Sequence, residues 1–206
     1  PASNFNGAND KDRIVVRIKE WDTQTDKRPV GEVINVLNAE DANDIAMKEI
    51  LLENGFPIGF TDEGMEEAQR IPDVISQDEI NKRRDVREIR TFTIDPIDAK
   101  DFDDAISIRV LKNGNYEIGV HIADVSHYVR PETELDKDAY GKATSVYLPD
   151  RVNPMLPEHI SNFLCSLRPH EDKLTFSAVF QMTPKGQVKQ YWLGKTVIHS
   201  NHRFTY

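Results

Sequence analysis

The chain has 206 residues, 38% hydrophobic and 30% charged, with 35 acidic against 26 basic side chains and a net charge of −9. That length suits one large domain or two small ones. No apolar run approaches the ~18 residues of a membrane span; the opening PASNFNGANDKD lacks the basic start and apolar stretch of a signal peptide; and Cys165 has no second cysteine to pair with. These features predict a cytoplasmic protein with no membrane segment.

Residues 13–37 read as two strands. RIVVRIK is dense in β-branched residues and GEVINVL alternates with period two, with a polar loop between them. Two strands cannot bury a core alone. A helix is expected over 41–54, capped by Asp41 or Asn43, with Ile45, Ala46, Ile50 and Leu51 on one face and Gly55 as its stop. Residues 61–90 are strongly charged. Ser76 to Glu79 form a capping box for a helix running on through NKRRDVR, and Pro72 separates it from a shorter helix before it. This stretch reads as a solvated connector.

From residue 91 the pattern changes. TFTID leads into an acidic cluster, AISIRV alternates as a strand, Asn113-Gly114 signals a type I′ turn, and NYEIGVHI is the returning strand. VSHYV is expected to stay extended. A helix around ELDKDAYGKA, a Pro-punctuated loop YLPDRVNPMLP and a short helix in PEHISNFLC follow. A hairpin closes the chain: KLTFSAVFQM, a turn at Pro184 to Gly186, then QVKQYWLGKTVIHS.

The acidic cluster lies in TIDPIDAKDFDDA, residues 93–105. Clustered acids are usually a solvated loop. Here Ile94, Phe102, Ala105 and Ile106 hem the carboxylates in. Charges of one sign beside core residues repel and are costly to bury, and divalent cations are the usual compensation. No Cys or His joins the cluster, which argues against zinc. All-oxygen donors favour Mg2+, with Mn2+ as a substitute. An EF-hand frame fails: counted from Asp95 its next ligand positions are Ile97 and Ala99, and counted from Asp101 its final one is Lys112. Such a site also answers the acid excess, which otherwise argues against nucleic acid.

TIDPIDAKDFDDAISI resembles the signature of the RNB catalytic domain of the ribonuclease II and ribonuclease R family. IGVHIADVSHYV (118–129) and SVYLPDRVNPMLPEHISNFLCSLRP (145–169) resemble the motifs that follow it, in the same order. Ala99-Lys100-Asp101-Phe102 brings the likeness closer to ribonuclease R. The resemblance implies a processive hydrolytic exoribonuclease that degrades RNA from a single-stranded 3′ end to nucleoside 5′-monophosphates. It implies that Asp95, Asp101, Asp103 and Asp104 hold magnesium and organise the attacking water, with Asp104 the most sensitive. Tyr147 matches the aromatic residue that stacks near the 3′-terminal base; the residue pattern alone makes it a packing residue.

His121, His127 and Asp124 are read as structural, Cys165 as a buried small residue, and Lys100 and Arg151 as phosphate contacts or surface ion pairs. The implied architecture is α+β. Residues 1–40 are the closing strands of a cold-shock OB-type β-barrel, 41–89 a helical connector, and 90–206 the N-terminal part of a mixed α/β RNB domain. The family's further catalytic parts have no counterpart, so the chain is expected to be a fragment with weak or no nuclease activity alone. A non-catalytic RNA-binding module of the same fold is the alternative; retention of all four aspartates counts against it.

Overall fold

The computed structural model describes residues 2–21, 29–37 and 42–206. The chain divides into two compact units, one up to Ile58 and one from Gly59 onward.

In the first unit, β1 (Ile14–Glu20) and β2 (Val30–Val36) pair antiparallel from Ile14↔Val36 to Glu20↔Val30, with two register shifts. The side chains of Asn4 and Asn6 donate to the carbonyls of Gly31 and Val33, tying the N-terminal segment to β2. Val33 and Leu37 are buried, whereas Ile14, Val16, Ile18 and Ile34 are exposed. Among the described residues the two strands form a two-stranded sheet and not a closed barrel, because closure needs further tilted strands to pair both edges. Helix α1 (Ala42–Glu53) follows as expected. Its end is a Schellman motif: Phe56 N–H reaches Leu51 O at 2.9 Å, Gly55 N–H reaches Leu52 O at 3.0 Å, and Gly55 takes φ +79°. Leu51 is buried but Ile50 is exposed, so the expected single apolar face is not kept. The predicted cap Asp41 lies outside the described residues.

The second unit is built on a seven-stranded mixed sheet. Its strands are β3 (Arg84–Asp85), β4 (Thr91–Asp95), β5 (Asp104–Val110), β6 (Tyr116–Ala123), β9 (Asp172–Met182), β10 (Val188–His199) and β11 (His202–Thr205), in the order β11-β4-β5-β6-β9-β10-β3. The two edge pairs are parallel and the rest antiparallel. The small strands β7 (Val146–Tyr147) and β8 (Val152–Asn153) pair separately. Helices α2 (Asp62–Arg70), α3 (Gln77–Asn81), α4 (Val125–Tyr128) and α5 (Glu134–Lys142), and a π-helical turn at His159–Leu164, complete the unit. Ala105 and Ala123 of the sheet share the core with Ala68, Val86, Leu135, Ile160 and Leu167.

Four local expectations are corrected. The helix capped by Ser76 stops at Asn81, because Arg84 and Asp85 pair with Thr196 and Val197 of β10 and Val86 N–H bonds to Val197 O. Ala68, Val86 and Ile89 are buried, so this stretch is not a solvated connector. The turn at Asn113-Gly114 is not type I′: only Gly114 has positive φ, and Gly114 N–H bonds to Leu111 O. That is a three-residue loop with glycine in the left-handed position, which suits the strand twist equally well. VSHYV coils into α4, since Asp124 N–H bonds to Leu174 O and the chain then turns off the sheet.

Candidate active site

The acidic cluster occupies a splayed hairpin. β4 and β5 pair only at Thr91↔Ser107 and Phe92↔Ile106. Beyond that the strands diverge, and loop 96–103 bridges Asp95 at the end of β4 to Asp104 at the start of β5. Each divergent end is held from its other side: Asp95 pairs with Thr205 of β11, and Asp104 with Ile122 of β6.

The loop is anchored from behind. Phe102 is 5% exposed and sits in the core. Its N–H donates to Ser166 Oγ at 3.0 Å, Ser166 Oγ donates to Lys100 O at 2.8 Å, and Leu167 N–H donates to Phe102 O at 2.8 Å. Ala123 N–H holds Asp103 O at 2.9 Å. Arg203, on β11, donates to Pro96 O and Ile97 O at 2.6 and 2.8 Å and lays its guanidinium over the Phe102 ring, 4.7 Å from the centroid. With Phe102 pointing inward, the carboxylates around it are presented outward on a fixed backbone.

The carboxylates feel one another. The Asp95 carboxyl is raised above the usual aspartate range by burial, then by the charges of Asp104 and Asp101, against the pull of Thr93 and Arg203. Asp103 reaches solvent; its carboxyl is also raised, first by the protein around it and then by Asp101, Asp104 and Asp95. Asp95 Oδ2 and Thr93 Oγ1 are both buried and make no hydrogen bond of good geometry, so the Thr93 hydroxyl beside the Asp95 carboxyl only partly offsets its burial. A buried oxygen so poorly paired in a field of like charges is costly. Positive charge from outside the chain would relieve it, and these aspartates are the oxygen donors available to a divalent cation. Among the described residues, no three His, Cys, Asp or Glu side chains converge closely enough to form a ready three-ligand cage.

Tyr147 lies in the same field. Its hydroxyl pKa is raised, foremost by Asp101, then by burial and Asp103. Its side chain is 70% exposed, on the two-residue strand β7. Cys165 is buried, its thiol pushed up to about 12 chiefly by burial, which makes it an inert core residue. Arg151 pairs with Asp150 at 2.9 Å. Asp124, 3% exposed, is engaged by Arg83 at 2.7 Å, Lys195 at 3.3 Å and Ser126 at 2.8 Å.

Sequence reasoning missed Arg203, Ser166 and Arg83. Ser166 stands in the motif-bearing segment 145–169, which was one available signal. Arg203 and Arg83 carry none, since their partners lie ~100 residues away in Pro96 and ~40 away in Asp124.

A family model described as the RNB domain matches residues 83–206, more than half of the chain. The chain belongs to the RNB family. A cold shock domain model matches residues 1–61. The chain is 44% identical over 194 residues to ribonuclease R of Aquifex aeolicus, covering 94% of this chain and 27% of that protein. It is 45% identical over 176 residues to ribonuclease R 1 of Lactococcus lactis, covering 85% of this chain and 22% of that protein. Among solved structures, Mycoplasma genitalium RNase R in complex with double-stranded RNA matches all of this chain and 36% of its own, at a TM-score of 0.81 and 32% identity. The chain is thus homologous to the ribonuclease R exoribonucleases and spans less than a third of the two curated relatives. Among the described residues no helix is long and apolar enough to cross a membrane.

Proposed function

We propose that this segment carries the acidic half of the catalytic site of a hydrolytic, processive 3′-to-5′ exoribonuclease. The observation that carries the reading is the mutual charge field of Asp95, Asp101, Asp103 and Asp104, with Asp95 Oδ2 buried among them, in a chain of the RNB family. The two N-terminal strands serve as part of a cold-shock barrel that lies along the RNA, and the RNA engaged is a single-stranded 3′ end.

In this reading water adds to the phosphorus of the last phosphodiester. The P–O3′ bond breaks, the departing 3′ oxygen takes up a proton, and the released nucleotide keeps its 5′-phosphate. The aspartate oxygens accept the hydrogens of the attacking water and fix its direction. Arg203, Ser166 and Leu167 hold the loop that carries them. Tyr147 offers an exposed ring to the terminal base; stacking accepts any base, as a general degrader requires.

The aspartates fit magnesium, or manganese in its place. Magnesium keeps several waters and takes one or two carboxylates together with substrate phosphate, so one or two of these aspartates would hold it and the others would face its waters. When bound, the ion stabilises negative charge at the phosphate and lowers the pKa of water.

Calorimetric titration of the chain with Mn2+ and Mg2+ tests the site: wild type should bind, and Asp104→Asn should bind at least about tenfold more weakly. In a longer ribonuclease R polypeptide carrying this segment, Asp104→Asn should still bind RNA while laddering of a 5′-labelled RNA is lost. Undiminished cleavage would refute the assignment of Asp104.

A further inference from the structure

We infer that Lys142 is a positioning residue for Tyr147: its buried ammonium, bonded to the Asn153 side chain, sets the β7–β8 hairpin that presents the Tyr147 ring to a terminal base. This rests on the stacking role proposed for Tyr147.

Tyr147 needs something to hold it. Its ring is mostly exposed, so packing does not fix it. Its strand has two residues, paired to β8 at Val146↔Asn153 and Tyr147↔Val152. Such a short ribbon is marginal without a tie to the body of the protein. Two ties appear at its base. Met155 N–H donates to Ser145 Oγ at 3.0 Å. Lys142 Nζ donates to Asn153 Oδ1 at 2.9 Å, directly across the ladder from Val146.

Lys142 is well placed to transmit rigidity. It ends α5, is 3% exposed, and its ammonium stands 4.7 Å over the Phe60 ring. Helix α5 is itself fixed. Leu135 is fully buried and its N–H bonds to Glu67 of α2; Asp138 accepts from the N–H and the hydroxyl of Thr61, the N-cap of α2. The hairpin is thereby clamped to the α2–α5 pair through a charge-assisted bond. If the position only filled space, a methionine of similar length would do so without burying a charge. Asp138, on the same helix, supplies counter-charge to the ammonium, and a hydrogen bond from the ammonium is directed at Asn153 of the hairpin.

The test uses the 206-residue chain and a short single-stranded oligoribonucleotide whose 3′-terminal base is 2-aminopurine, quenched on stacking. Wild type should quench the probe and Tyr147→Ala should not. Lys142→Met should weaken the quenching interaction about fivefold, a partial loss of one stacking contact, while Mn2+ affinity at the aspartates stays unchanged. Lys142→Arg should restore most of it, which a loss of fold would not allow. Asn153→Ala removes the acceptor without touching the core, and should reproduce the Lys142→Met effect should that variant fold poorly. On the Tyr147→Ala background neither change should add anything. Full quenching by both folded Lys142→Met and Asn153→Ala, with Tyr147→Ala inactive, overturns the role of Lys142 alone. A probe that wild type leaves unquenched, or that Tyr147→Ala quenches normally, overturns the stacking role and this inference together.

Discussion

His121 is fully buried with a serine hydroxyl on each ring nitrogen, Ser177 on Nδ1 at 2.7 Å and Ser107 on Nε2 at 2.8 Å. A neutral imidazole has one donor and one acceptor, and a hydroxyl can complement either, so both nitrogens are satisfied without a charge. Gly119 makes the room: a Cβ there would stand 2.4 Å from Ser107 Oγ and 2.5 Å from His121 Nε2. Burial, aided by Arg84, pushes the imidazole down to about 4. Unfolded, it would titrate near ~6.5. Between those values the unfolded chain binds a proton that the folded chain refuses, so stability falls as pH drops from ~6.5 toward 4 and levels off below. The contribution is about 3 kcal/mol across that window. Urea unfolding at pH 7.5, 5.5 and 4.5 should show a shallower pH slope in His121→Gln than in wild type. Equal slopes would mean that the ring is protonated in the fold.

This residue also marks how far single positions were legible. The four aspartates are proposed on local signals, acids beside apolar residues and three ordered motifs, and Tyr147 on the motif match alone. A structural role for His121 was legible as well. The identity of its partners was not: Ser107 and Ser177 are brought to it only by the registers of β5 and β9 on β6.

At the scale of elements, one ion pair decides where helix ends and sheet begins. The Arg83 side chain has no solvent exposure; it meets Asp124 at 2.7 Å and Glu79 at 2.8 Å and donates to Thr175 O at 3.3 Å. The capping box predicted a helix through Arg83 and beyond, and helix propensity alone supports it. Glu79 does accept its role near the helix start, since Glu79 N–H bonds to Ser76 Oγ at 3.2 Å. Pairing of β3 with β10, and the chance to satisfy Asp124, outweigh the few tenths of a kcal/mol per residue that propensity offers. Burial alone would raise the Asp124 carboxyl; Ser126 and Arg83 hold it below the usual carboxylate range. Arg83→Met should therefore cost about 3–5 kcal/mol, because it leaves Asp124 buried with its main counter-charge gone. The double variant Arg83→Met with Asp124→Leu should recover much of that loss. Chemical denaturation of the three chains checks it, and a single variant as stable as wild type would show that Lys195 alone suffices for Asp124.

Across the whole second unit, the two faces of the sheet are unequal. Strand neighbours share a face, which aligns Ile106, Val120, Ala178 and Leu193 in one row and Ile122 with Phe176 in the next. Alternation in IGVHIA would assign this β-branched side to the core. The opposite side, with Ala105, Ser107, His121 and Ala123, is the buried one, because the helices and the Phe102 loop pack there. Val120, Ile122, Phe176 and Leu193 are all exposed. The net charge of −9 opposes self-association, but at physiological salt its field is screened within ~8 Å, whereas an apolar row in contact gains about 25 cal/mol per Å² buried. Contact therefore wins once two such faces meet. The isolated chain should bind an apolar fluorescent dye and associate as its concentration rises. Ile122→Thr with Leu193→Thr, which keeps β propensity, should cut dye fluorescence by about half and shift the association to higher concentration. The melting temperature should stay within a few degrees, since both positions are at the surface. Dye binding unchanged by the pair, with sedimentation showing a monomer at every concentration, would mean that this face is not open in solution.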